Sequence, residues 1–402
     1  MLHRRTLLAG AALGGLAAPR LGMAETPGVT ATELRIGNTM PYSGPASAYG
    51  VIGRAESAFF GMMNAQGGIA GRQINFITYD DGYSPARTAE QVRRLVEQDG
   101  VAFLFQTLGT PTNSAIVRYL NQRRIPHLFV ATGADKWGNY KETPWTIGWQ
   151  PSYVTEAQIY TKHMLAEAPG KRIALLYQND DFGKDYLAGL RDVLGPRFDQ
   201  LVTTASYEVT DPTLDSQVVA LQASGAEVLM TAATPKFAAQ AIRKVHDIGW
   251  RPLHVLTNVS ISVAGVMKPA GPEKGVGIIT SAYLKDPTDP SWQDDPGMNE
   301  WRGFMRRQLP EADLTDASYV YAYGASLTLR RVLDQCRGDF SRPSVMHQAT
   351  ALKELELPVL LPGIRVNTSP TNYHPIRAMQ LQRWTGETWR RFGGIIEGGA
   401  GS

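Results

Sequence analysis

A two-lobed α/β fold is what this chain predicts: two Rossmann-like lobes, each with helices packed on a mainly parallel central sheet, joined by a three-strand hinge. Three observations carry that expectation. From Leu34 onward, short apolar runs alternate with helical periods, the pattern of repeated βαβ units. The alternation breaks near 145–151, again after 280–283, and again near 357–364, where the chain reads as crossing from one lobe to the other. The length of 402 residues gives two domains of ordinary size enough chain to bury a core each.

The elements follow in order. Strands are expected at 35–39, 74–79, 102–106, 127–131, 172–178, 201–208, 228–232, 254–257 and 277–282, each a short β-rich run bounded by turn residues. Helices are expected at 51–64, 86–98, 114–122, 155–166, 184–194, 214–223 and 238–248, then at 298–308, 318–336 and 345–352. In the first of them Ile52, Ala55, Phe59, Met62 and Met63 share one face. Residues 378–384 and 389–396, around the turn Thr385-Gly386-Glu387, read as a terminal hairpin. The stretch 145–151 shows no helix period and is read as the first crossover. The resulting division is an export signal over 1–24, a first lobe from 25–148 and 284–360, and a second lobe from 149–283 and 361–402.

The leader carries Arg4-Arg5, an Ala/Gly/Leu run and the small-x-small site Gly22-Met23-Ala24, so the mature chain is expected to begin at Glu25. Its apolar run is shorter than the roughly 20 residues that span a bilayer. His3-Arg4-Arg5-Thr6-Leu7-Leu8 resembles a twin-arginine signal, and the general secretory route also fits. Either route implies a periplasmic protein. Three of the 40 basic residues (Arg4, Arg5 and Arg20) lie in the leader, so the remainder match the 37 acidic ones. A neutral chain without basic stripes excludes a phosphate-backbone partner. The single cysteine, Cys336, permits no internal disulfide and ends an apolar helix as buried filler.

The most informative segment is 34–81, which reads as strand, ligand-facing turn, helix and strand. In open α/β sheets, the loops at the carboxyl ends of strands line the ligand crevice, and helix N-termini there offer free N–H groups to an anion. Ser43 is read as the cap of the following helix with Pro45 in its first turn, and Thr110-Pro111 repeats the arrangement. The loops 42–44, 108–111, 131–133, 178–183, 233–235 and 257–258 share small, hydroxyl and amide residues. Anion binding and ordinary capping stay open for any single loop. Aromatics cluster beside them (Tyr42, Tyr49, Trp137, Trp145, Trp149, Tyr153, Phe182, Phe237 and Tyr283), and Tyr42, Tyr49, Tyr153 and Phe182 are favoured as cleft walls. Enzyme signatures such as G-x-S-x-G, a Walker A loop and H-E-x-x-H are missing, and the histidines lack metal-ligand spacing. Asp80-Asp81 and Asp180-Asp181 are acid pairs at strand ends, the position where Asp caps backbone N–H groups.

Ser43-Gly44-Pro45 with Tyr49-Gly50, 64–71, Tyr79-Asp80-Asp81, Asp180-Asp181-Phe182-Gly183 and Ala322-Tyr323-Gly324-Ala325, in this order, resemble the solute-binding proteins of ABC importers. The group resembled is the branched-chain amino acid receptors, with the type I periplasmic binding protein fold. The resemblance implies a ligand between the lobes, with its carboxylate held by Leu108, Gly109 and Thr110 and by Ala131, Thr132 and Gly133. It also implies Tyr49 and Phe182 over the ligand. Amino acid receptors of this group place an acid after a second-lobe strand to pair with the ligand ammonium. Here that stretch reads Thr257-Asn258-Val259-Ser260, with Asp180, Asp181 or Asp135 as possible substitutes. A family disulfide near the first-lobe cleft is lacking too. The loops 108–113 and 129–138, with Trp149-Gln150-Pro151, look most like a subset associated with aromatic acids of the hydroxycinnamate or benzoate type.

The expectation is therefore a monomeric receptor, without cofactor, metal or catalytic residues, that delivers a small carboxylate to an ABC permease in the inner membrane. The candidate ligand-binding residues are Tyr42, Ser43, Tyr49, Leu108, Gly109, Thr110, Ala131, Thr132, Gly133, Gln150, Tyr153, Phe182, Thr234, Asn258 and Tyr283. The alternatives are an amino acid receptor or ligand sensor of the same fold, and a secreted hydrolase using an Asp pair.

Overall fold

The computed structural model describes residues 26–398; the leader expected over 1–24 lies outside them. The first lobe opens with β1 (Glu33–Met40), α1 (Gly50–Ala65), β2 (Gln73–Asp80), α2 (Pro85–Glu97), β3 (Phe103–Phe105), α3 (Thr110–Gln122), β4 (His127–Val130) and β5 (Thr146–Gly148). These strands pair only in parallel, in the order β2-β1-β3-β4-β5. A parallel sheet covered on both faces calls for continuous apolar strands. Phe103, Leu104 and Phe105 are accordingly all buried, Phe105 meeting Phe60 of α1 on one face and Leu104 joining Val92 and Leu95 of α2 on the other.

The second lobe follows with α4 (Tyr153–Glu167), β6 (Ile173–Gln178), α5 (Asp181–Leu194), α6 (Phe198–Leu201), β7 (Val202–Tyr207), α7 (Asp215–Ala223), β8 (Val228–Ala232), α8 (Pro235–Asp247), β9 (Leu253–Leu256), α9 (Lys268–Ala270) and β10 (Ile279–Ala282). The chain then returns to the first lobe as α10 (Pro296–Gln308), α11 (Ala317–Gln335) and α12 (Arg342–Ala349). There Tyr323 of α11 meets Phe59 of α1 edge-on at 5.7 Å. β11 (Ala378–Trp384) and β12 (Trp389–Glu397) close the chain as an antiparallel hairpin on β10, giving a seven-stranded sheet of order β12-β11-β10-β9-β8-β6-β7.

Two crossing segments pair with each other. Lys285 N–H donates to Val359 O and Leu361 N–H to Tyr283 O, both at 2.9 Å, around an antiparallel bridge between Leu284 and Leu360. Val366 bridges Leu355, and Tyr373 Oη donates to Pro144 O at 3.0 Å, before the chain enters β11.

Several local expectations need correction. Residues 145–151 contain the edge strand β5 as well as a crossing, because three residues that pair with β4 have no period of their own. Ser43 does not cap α1. A 3-10 turn over Ser47–Tyr49 intervenes, and Ser43 instead donates to Asp80 Oδ2 at 2.5 Å. Thr110 is the first residue of α3, with Gly109 as its cap. Of the aromatics left open between core and cleft, Trp137, Trp149 and Phe237 are core residues, each at most 1% exposed. Cys336 is buried, as expected, with its thiol pushed up to about 11 by desolvation.

Candidate ligand cavity

The carboxyl ends of the strands in both lobes face one cavity enclosing about 910 Å³ of space free of atoms, part of it open to solvent. Eleven of the candidate residues line it: Tyr49, Leu108, Gly109, Thr110, Ala131, Gln150, Tyr153, Phe182, Thr234, Asn258 and Tyr283. Four do not. Tyr42 turns its hydroxyl to Thr78 Oγ1 at 2.8 Å, and Ser43 is held by Asp80. Thr132 lies one layer back, its Oγ1 2.6 Å from Thr110 Oγ1. Gly133 serves backbone packing: a Cβ there would come within 2.4 Å of Pro151 O and 2.8 Å of the Tyr153 ring.

On the first-lobe side, α3 starts at the cavity with no side-chain cap. Its first turn leaves the N–H groups of Thr110 and Thr112 without intrahelical acceptors, while Pro111 has none to leave. Asn113 braces this turn from below, with Nδ2 donating to Thr107 O at 2.8 Å and Gly109 O at 2.7 Å. The second-lobe helix α8 also starts uncapped, at Thr234-Pro235. Other helices that open at the cavity are closed by their own side chains: Ser152 on α4, Asp180 on α5 and Asp316 on α11. Ser84-Pro85 at α2 is likewise uncapped, yet it does not line the cavity, so the uncapped turn acquires meaning only where a cavity meets it.

The walls are aromatic. Tyr153 and Phe182 meet edge-on at 4.9 Å, and Tyr321 stands against Trp149 at 5.0 Å. Tyr49 crosses the cavity, its hydroxyl donating to Val259 O at 3.0 Å. Tyr83 and Tyr321 had no individual signal in the sequence; Tyr321 sits one residue before the Ala322-Tyr323-Gly324-Ala325 motif.

None of the three acids offered as substitutes for the receptor acid reaches the cavity. Asp180 accepts the N–H groups of Phe182 and Gly183, Asp181 pairs with Lys136 at 2.7 Å, and Asp135 accepts Ser152 Oγ at 2.5 Å. The acid that does line it is Asp286, just past the second crossing. Thr288 donates to its Oδ1 from backbone and hydroxyl, whereas Oδ2 is buried without a partner. Desolvation pushes this carboxyl up to about 6. Its place in a Pro- and Asp-rich loop made it indistinguishable, in sequence, from a solvated turn. The neighbouring Lys285 is spent on Asp295, at 2.8 and 2.9 Å, and on Pro358 O. Asp80 and Asp81 are consumed in turns around Ser43, Gly82, Tyr83 and Thr88. No group of His, Cys, Asp or Glu fit to hold a metal occurs among the described residues.

Residues 33–388 match a family described as periplasmic binding protein. Leu/Ile/Val-binding protein homolog 7 of Brucella suis biovar 1 (strain 1330) is 20% identical over 362 residues, which is 88% of this chain and 89% of that protein. A branched-chain amino acid ABC transporter structure from Thermus thermophilus, with bound valine, superposes with a TM-score of 0.79 at 14% identity, covering 90% of this chain and 96% of that one. A fatty acid ABC transporter substrate-binding protein from Thermomonospora curvata gives a TM-score of 0.76 at 19% identity, with 93% and 94% covered. At such identities the structural likeness establishes the fold, that of the type I binding proteins.

Proposed function

The chain belongs to the periplasmic binding protein family, and from that premise we propose that it captures a small carboxylate, an aromatic acid of the hydroxycinnamate or benzoate type, and hands it to an ABC permease. One observation carries the reading: the uncapped N-terminus of α3 opens into a cavity walled by Tyr49, Tyr83, Tyr153, Phe182, Tyr283 and Tyr321. Free N–H groups and the helix dipole suit a carboxylate, and the rings suit a flat apolar body. We take the lobes to divide at 148/149, 283/284 and 360/361, with an exported, monomeric mature chain. Closure of the two lobes over the ligand then couples binding to a shape that the permease reads, because only the closed form touches the ligand from both sides.

A second reading, an amino acid receptor, is favoured by the unpartnered Oδ2 of Asp286, an acceptor suited to an ammonium. Titration calorimetry with 4-hydroxycinnamate, benzoate and leucine separates the two. Binding of the aromatic acids with no response to leucine is the expected outcome. Leucine binding that is lost in Asp286→Asn, with no response to the aromatic acids, would establish the second reading instead.

A further inference from the structure

The second-lobe wall of the cavity includes Asn258, and what lies behind Asn258 determines how it faces a ligand. Glu156, in the first turn of α4, is fully buried. Its Oε1 accepts the backbone N–H of Asn258 at 2.8 Å, and its Oε2 accepts Asn258 Nδ2 at 2.8 Å. Tyr160 Oη stands 2.5 Å from the same Oε1 and itself accepts the N–H of Ser281, another cavity residue, at 2.8 Å. The backbone N–H cannot turn round, so one carboxylate oxygen stays committed to it. The side-chain amide can turn, but exchanging its ends would set Asn258 Oδ1 against an ionised carboxylate oxygen, two acceptors at hydrogen-bond distance. Oδ1 therefore points away from Glu156. It accepts no hydrogen bond from the described residues, and it is not among the polar atoms sealed in the core.

We propose that Glu156 is a positioning residue that sets ligand selectivity. By accepting the backbone N–H and one Nδ2–H of Asn258, whose other Nδ2–H is directed to Met379 Sδ at 3.9 Å, it fixes Oδ1 as an acceptor in the cavity wall, and the ligand group that meets this wall is a hydrogen-bond donor, a hydroxyl or an amine. The proposal rests on the reading of this cavity as a site for small carboxylates, though not on the ligand being aromatic. A ligand presenting only an acceptor here forfeits the bond and meets like polarity, which is how a buried polar group discriminates between isosteres.

The test is Glu156→Gln, which keeps the volume and removes the charge. The backbone N–H of Asn258 claims the carboxamide oxygen, so the new NH₂ faces the Asn258 side chain. Asn258 then turns its oxygen inward and offers Nδ2 to the cavity. Calorimetry on the mature chain uses two matched pairs, 4-hydroxycinnamate against 4-methoxycinnamate and leucine against 4-methylpentanoate. It is run at pH 8, above the value of about 7 to which burial lifts Glu156. The wild type is expected to prefer the donor-bearing member of whichever pair binds by about tenfold or more, and the Gln variant to close or reverse that ratio. An unchanged ratio in a variant with a near-wild-type melting temperature overturns the proposal. If the leucine pair binds and the aromatic pair does not, the aromatic ligand falls while the role of Glu156 stands. If neither pair binds, a neutron structure of the ligand-free protein reads the amide directly. Oδ1 toward the cavity supports the proposal, and Nδ2 there refutes it.

Discussion

His127 in β4 and His254 in β9 are buried, and each meets a threonine hydroxyl, Thr107 and Thr231 respectively. Thr107 gives its proton to Asn113 Oδ1 at 2.6 Å, so His127 Nε2 is the donor in that contact. Desolvation holds His127 down at about 3 and His254 at about 4. In the unfolded chain they titrate near about 6.5. A depressed folded-state value means that the unfolded state binds more protons as pH falls below 6.5, so the stability these rings allow is present above that pH and is lost towards 4 and 3. Asp81, Asp180, Asp185 and Glu156 oppose this, since burial raises each of them and favours the folded state on acidification. The readout is therefore a difference: between pH 7 and 4, the double variant His127→Gln/His254→Gln should gain stability relative to the wild type in denaturant melts. A gap independent of pH would show that neither ring is held neutral.

At the same scale, the cavity was legible wherever a residue type had to sit in the turn or helix start that follows a strand, as Thr110, Phe182 and Asn258 do. It was illegible where a partner distant in sequence decided the outcome. Asp80 takes Ser43 away from α1, and Thr78 takes the Tyr42 hydroxyl. Glu156 carries no local motif at all; its role exists only because α4 packs beside the end of β9.

Among the elements, α3 depends on a residue that has no side chain. Gly109 has φ of +102°, and a Cβ on it would lie 2.5 Å from the Tyr83 ring and 2.6 Å from Thr112 Oγ1. Gly109→Ala should cost about 1–3 kcal/mol through backbone strain alone, with the clash added, and should abolish ligand binding by displacing the uncapped turn. Gly170→Ala is the control: φ is +72° but nothing lies within 4 Å, so binding should be untouched. Equal effects of the two on binding would show that the turn is not the anion site. Helix starts were where sequence periodicity fell short. α3, α5 and α8 begin at Thr110, Asp181 and Pro235, three or four residues before their apolar periods become visible. First turns are specified by a cap or a proline rather than by a buried stripe.

The alternation of strands and helices across the whole molecule was legible because each lobe repeats one simple unit. The state of the cleft was not, since it depends on contacts between lobes. Those contacts are numerous in this structure. Ser262 Oγ donates to Asp316 Oδ1 at 2.8 Å, Lys268 pairs with Asp313 at 2.9 Å, and the N–H of Asp135 reaches Asp185 Oδ2 at 2.8 Å. Exposed pairs such as Lys268–Asp313 contribute little, about 0–1 kcal/mol, whereas the buried Ser262 bond to a carboxylate is worth about 1.5–3 kcal/mol. Ser262→Ala should therefore open the ligand-free protein, seen as a larger radius of gyration in small-angle scattering, and weaken ligand binding roughly tenfold for every 1.4 kcal/mol lost. Lys268→Ala should change both only slightly. Scattering curves identical to wild type for Ser262→Ala would mean that this bond does not hold the cleft shut.

The terminal hairpin has a consequence for how copies of the molecule meet. It leaves β12 as the outer strand of the larger sheet, where unpaired backbone groups would otherwise template a strand from another chain. That edge carries Arg390 and Arg391, then Gly393-Gly394, and its pairing with β11 slips at Gln380/Leu381. Charge and a bulge make a poor template. The hairpin thus leaves an outer strand that disfavours the addition of a strand from a second copy.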